Sequence, residues 1–122
     1  MPIRFRLVVV TFAAGLLLSG AARAGDEKSG LQWLRKCTNP EAYWQIECAI
    51  YVRALVEYDE ARAKELGEKR FICAKEGVTI RQSREVVIKF LRENPQELHR
   101  PFALLAHRAL EAAFPCSGAR PQ

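Results

Sequence analysis

The sequence predicts a small all-α bundle of about four helices, stapled by disulfides. Three observations carry that expectation. Apolar residues recur at steps of three and four along most of the chain, Asn, Thr, Gly and Pro divide it at helix boundaries, and four cysteines follow an N-terminal export signal. No segment alternates convincingly with a period of two, so no sheet is expected.

The export signal is read from three features. "MPIRFR" supplies two arginines, residues 7–18 form the 12-residue apolar run "LVVVTFAAGLLL", and Ala22, Arg23 and Ala24 make an A-x-A site. A run of that length falls short of the roughly 20 residues that cross a bilayer, and no second run of spanning length follows. Residues 1–24 are therefore expected to be a signal peptide cleaved after Ala24, giving a periplasmic protein with no stable membrane insertion. Cleavage removes three arginines and no acidic residue, so the net charge falls from +5 to +2. The remaining 98 positions hold 16 basic and 14 acidic residues, interspersed rather than clustered. Such a surface lacks the basic face that neutralises phosphates, which argues against nucleic acid as a partner.

Residues 25–36 are read as an N-terminal segment with a short helix over 31–36. Asn39, Pro40 and Glu41 then offer a cap, a first-turn proline and a dipole-matched charge, so a long second helix is expected from there to Gly67. Along it Trp44, Cys48, Tyr51, Leu55 and Tyr58 recur at helical spacing, and Ile46, Ala49, Val52 and Val56 widen the apolar face. At about 1.5 Å per residue this helix spans roughly 40 Å, longer than the helices after it, so part of it is expected to lack intramolecular cover. Glu57, Asp59 and Glu60, among Arg53, Arg62 and Lys64, read as a solvated face with i to i+4 pairs.

"GVTIRQ" opens the third helix, with Thr79 and Gln82 placed for a reciprocal capping box and Val86, Val87, Phe90 and Leu91 forming the buried stripe. "ENPQELHRP" is a corner, and Pro101 restarts a last helix that Pro115 ends. Phe102, Leu105, Ala106, Ala109, Leu110 and Ala113 mark its inner face. Residues 117–122 are expected to be a disordered tail.

An even number of cysteines in an exported chain argues for two bridges, and no C-x-x-C pair points to zinc or redox chemistry. If the long helix runs up, the third down and the fourth up, Cys73 and Cys116 share one end, and Cys37 and Cys48 the other. That order favours Cys37 with Cys48 and Cys73 with Cys116, although spacing alone leaves the other two connectivities open. Catalysis has little support. His99 and His107 are eight apart with no H-E-x-x-H pattern, oxidised cysteines leave no nucleophile, and there is no phosphate-binding glycine loop or G-x-S-x-G elbow. No enzyme activity, metal or cofactor is expected.

From Cys37 to Cys116 the chain resembles the Rap/Tai-type immunity protein family. The resemblance is carried by "GVTIRQSREVVIKFLRENPQELHRPFALLAHRALEAAFPC": the Val78-Thr79 helix start, the Val86-Val87 and Phe90-Leu91 stripe, the Pro95, Leu98 and His99 corner, and the Phe114-Pro115-Cys116 ending. Ile50 and Ala54 stand where that family often has glycines on the second helix. The resemblance places a Rap/Tai-like helical domain over 37–116. It implies a periplasmic immunity protein that binds and inhibits a peptidoglycan amidase effector of a type VI secretion system, and it also implies a capacity to dimerise. In such complexes a protruding loop fills the amidase cleft. Residues 67–77 here, with Lys69, Arg70, Phe71 and Ile72 beside Cys73, are the candidate partner contacts, with packing beneath the bridge as the plainer reading. Trp44, Tyr51, Leu55 and Tyr58 are a possible dimer face or ordinary core. The alternative function is a periplasmic envelope-stress or scaffold protein, similar in size and style to acid-stress chaperones, with no cognate toxin.

Overall fold

A computed structural model describes residues 28–116. The signal peptide assigned to 1–24, the first residues of the 25–36 segment and the tail assigned to 117–122 lie outside the described residues. Four α-helices follow in order: α1 (Gly30–Cys37), α2 (Ala42–Leu66), α3 (Ile80–Glu93) and α4 (Phe102–Ala113), with a 3₁₀ turn at Pro95–Glu97. The all-α bundle expected from periodicity and punctuation is the observed fold, and no strand occurs among the described residues.

Each boundary has a local cause. The Ser29 hydroxyl accepts from the Gln32 amide at 3.2 Å and starts α1, which runs one residue beyond its expected span at each end. Asn39 Oδ1 accepts from the Glu41 amide at 2.9 Å, but Pro40 and Glu41 form the lead-in and the helix begins at Ala42. Gly67 closes α2 at φ 66°, in the left-handed region that favours glycine. The capping box of α3 is complete: Thr79 Oγ1 accepts from the Gln82 amide at 3.2 Å, and Gln82 Oε1 accepts from the Thr79 amide at 2.7 Å. Asn94 ends α3 by donating its side-chain amide to the Phe90 carbonyl at 2.8 Å.

The core is built on Trp33 and Phe102, whose rings stack at 4.8 Å and 10°, with Tyr51 tilted against Trp33 at 4.6 Å. Val52, Val87, Leu91, Leu105, Ala106 and Leu110 close around them. The short α1 is thus part of the packed unit. It is also tied to the corner before α4, where the Gly30 amide donates to the Arg100 carbonyl at 2.8 Å and the Leu31 amide to the Leu98 carbonyl at 2.9 Å. A Cβ at position 30 would stand 2.5 Å from Leu105 Cδ1 and 3.3 Å from the Leu98 carbonyl oxygen, so any side chain there would make the buried Leu105 shift. Two disulfides fasten the ends: Cys37–Cys48 joins α1 to the start of α2, and Cys73–Cys116 joins the α2–α3 connection to the chain after α4.

The polar face of α2 departs from expectation at one residue. Glu57 and Glu60 are exposed, and Glu57 pairs with Arg53 at 2.6 Å, raising the Arg53 guanidinium further above its ordinary value. Such exposed pairs contribute little to stability. Asp59, expected on that same solvated face, is only 2% exposed and faces the interior. Its register on α2 puts it seven residues after Val52, on the buried line that also holds Cys48.

Candidate partner-binding site

Two surfaces stand out, and both are built from α2. The first is the connection 67–79, whose early part is laid along the C-terminal end of that helix. Asp59 Oδ2 accepts from the Phe71 amide at 3.0 Å and the Ile72 amide at 2.9 Å, and Oδ1 stands 3.3 Å from the Phe71 amide. One turn along, Arg62 pairs with Glu68 at 2.8 Å. Arg70 donates from Nε to the Ile72 carbonyl at 3.1 Å and reaches Glu60 at 3.5 Å. Beyond these points the Cys73 amide donates to the Phe114 carbonyl at 2.7 Å beside the Cys73–Cys116 bridge. The segment therefore has no regular secondary structure and is nevertheless fixed to α2 and to the chain end after α4.

What it presents is specific. The Phe71 ring is half-buried, meets His107 edge-on at 5.8 Å, and has Lys69 Nζ at 5.3 Å and the Arg62 guanidinium carbon at 5.8 Å. Lys69 is exposed and Arg70 partly so. Ile72 has no exposed surface and belongs to the core, so of the four candidate contact residues it is the one that cannot meet a partner directly. An aromatic ring between cationic side chains, with its backbone already fixed, suits a partner pocket that combines an apolar floor with acidic groups.

The second surface is the outer side of α2. Tyr43, Ile46, Ile50 and Tyr58 are each more than half exposed, and an open groove runs over Trp33, Glu47, Ile50, Tyr51, Ala54, Leu55 and Tyr58. The residues suggested as a dimer face do not form one unit. Tyr51 packs into the core against Trp33 and Phe102, Trp44 is half-covered with Lys36 Nζ 5.1 Å from its ring, Leu55 is half-buried, and Tyr58 is exposed. Of the stripe Tyr43, Ile46 and Ile50, sequence reasoning placed only Ile46 on the apolar face and did not read the three as an exposed strip, although the three- and four-residue spacing does encode it. The stripe lies beside the buried line, and the two merge into the broad apolar face read from sequence.

Among the described residues every cysteine is bridged, and no group of three or more His, Cys, Asp or Glu side chains is placed to hold a metal. His107 lies 3.8 Å from Asp59 Oδ1 and 3.8 Å from Glu111, and its ring meets Phe71 edge-on.

Residues 29–116 match the family model of Rap1a immunity proteins. No curated protein and no solved structure matches the chain.

Proposed function

Because this chain belongs to the Rap1a immunity protein family, we propose that it protects its cell by binding and inhibiting a peptidoglycan amidase effector delivered by a type VI secretion system. Family membership makes it an immunity protein; the effector, the compartment and the mode of inhibition are the proposal. The observation that carries it is the clamped segment at 67–77, which holds Phe71 and its flanking Lys69 and Arg70 in one arrangement before any partner arrives. A segment ordered in advance does not lose that conformational freedom on binding, which favours the tight, purely steric inhibition an immunity protein needs. Removal of residues 1–24 after export to the periplasm would bring the protein to peptidoglycan, and the two bridges suit that oxidising compartment. The inhibitor supplies no chemistry.

The test is cellular. Cells in which a peptidoglycan amidase effector, sought first beside this gene, is directed to the periplasm should lyse, and co-expression of this chain should restore growth. Deleting residues 1–24 should abolish protection while leaving the protein abundant. Protection that survives the deletion would contradict periplasmic action, and failure of the intact chain to protect would contradict the inhibitor reading.

The same reading gives the outer side of α2 a second occupant, another copy of this chain. Tyr43, Ile46, Ile50 and Tyr58 offer a self-complementary apolar strip for an isologous dimer. Sedimentation at micromolar concentration should give a dimer for the native sequence and a monomer for Ile50→Asp, with helical content unchanged. A native protein that sediments as a monomer at every concentration would remove the dimer from the account.

A further inference from the structure

We propose that Asp59 is a positioning residue for partner binding: by accepting the Phe71 and Ile72 amides it sets the shape in which the segment 67–77 meets its partner. The inference rests on the functional reading above and deepens it.

The two oxygens of Asp59 share the backbone amides unequally. Oδ2 takes the short bonds, 3.0 Å from the Phe71 amide and 2.9 Å from the Ile72 amide. Oδ1 accepts a longer bond from the Phe71 amide at 3.3 Å and has the cations beyond it, with Arg62 Nη2 and His107 Nε2 each 3.8 Å away. The nearest hydrogen bonds thus go to the backbone of the segment, and the charged side chains stand further off. Arg62 in turn makes its close pair with Glu68, and His107 also faces Glu111. At 2% exposure a carboxylate is costly unless its lone pairs are used, so these two amides are what make its burial tolerable.

Holding two successive amides fixes the backbone on both sides of the Phe71 Cα. That choice puts the Ile72 side chain into the core and leaves the Phe71 ring against His107, with Lys69 beside it. Without the acceptor the Phe71 and Ile72 amides have to find water, and the ring is released into several orientations. Observed affinity then falls by the fraction of molecules that keep the competent shape.

The experiment compares oxidised native protein with Asp59→Asn, Asp59→Ala and, as a control at an exposed position of the same helix that does not touch the segment, Glu57→Gln. Amide exchange is measured residue by residue, and affinity for the amidase at a temperature where every variant is fully folded. The expected result is graded. Phe71 and Ile72 amides exchange about tenfold faster or more in Asp59→Ala and less so in Asp59→Asn, which keeps one oxygen for the backbone, while core amides of α3 and α4 do not change. The dissociation constant rises in the same order, by about 10- to 100-fold for Asp59→Ala, and Glu57→Gln changes neither quantity. Equal effects of Asn and Ala would show that the charge matters rather than the hydrogen bonds. Faster exchange spread evenly over the bundle would show a merely structural role. Faster local exchange with unaltered affinity would separate the segment from binding. Each of these overturns the proposal. If native protein binds no amidase, the functional reading fails and the positioning role for binding falls with it, and the exchange data alone then show whether Asp59 holds the segment. If Asp59→Ala does not fold, Asp59→Asn against Glu57→Gln decides both readouts.

Discussion

The double variant Cys73→Ala, Cys116→Ala is expected to lose about 4 kcal/mol of folding stability, the amount by which a loop of this length restricts the unfolded chain. The bridge spans a sequence separation of 43, against 11 for Cys37–Cys48, for which the same reasoning gives about 3 kcal/mol. For a small domain whose total stability is about 5–15 kcal/mol, either loss is large. The longer bridge has a second effect that the shorter lacks. It fastens the chain after α4 to the segment 67–77 directly beside the bond from the Cys73 amide to the Phe114 carbonyl. Its removal should therefore lower stability in urea denaturation and also weaken amidase binding by the protein that remains folded. The Cys37→Ala, Cys48→Ala variant should lower stability with little change in affinity, because those cysteines lie at the junction of α1 and α2. A loss below about 1 kcal/mol for the Cys73 and Cys116 pair would mean that the unfolded chain already keeps these ends close without the bridge.

Phe71→Ala should weaken binding to the amidase by at least about 30-fold, the effect of removing one hot-spot aromatic worth about 2 kcal/mol or more. The ring is half-buried and touches His107, so some stability is lost as well. Lys69→Glu isolates the surface effect, because Lys69 is exposed and its nearest aromatic contact is the 5.3 Å approach to Phe71. It should leave unfolding unchanged while slowing association, most clearly at low salt, as expected for a charge at the rim of an interface. Arg92→Glu, at an exposed position of α3, is the control and should bind as the native protein does. If Phe71→Ala binds normally and Ile50→Asp does not, the outer side of α2 is the partner surface and the segment 67–77 is only a connection.

Local rules account for most of what was legible in the sequence. The Thr79 and Gln82 box, the Gly67 stop, the Asn94-Pro95 corner and the inner face of α4 are each determined by neighbours within one or two turns, and each stands where those rules put it except Ala113, which the end of α4 leaves exposed. What could not be read depends on a neighbour far along the chain. Asp59 sits between an exposed tyrosine and an exposed glutamate, so its local pattern is that of a solvated face. The groups that bury it, the Phe71 and Ile72 amides, lie 12 and 13 residues on. Ile72 is hidden for the reciprocal reason, since a side chain beside Lys69 and Arg70 looks like a loop tip until the loop is known to fold back onto α2. The broad apolar face of α2 was visible, but periodicity does not say which edge of a wide face turns inward, and Tyr43, Ile46 and Ile50 turned outward.

Inhibition of the purified amidase by the purified, oxidised protein tests the central claim most directly. Peptidoglycan cleavage should fall linearly with added protein and vanish at one binding site per enzyme, with nanomolar affinity, about −12 kcal/mol. Full cleavage at a large excess of this protein, with the amidase encoded beside its gene, would contradict the account.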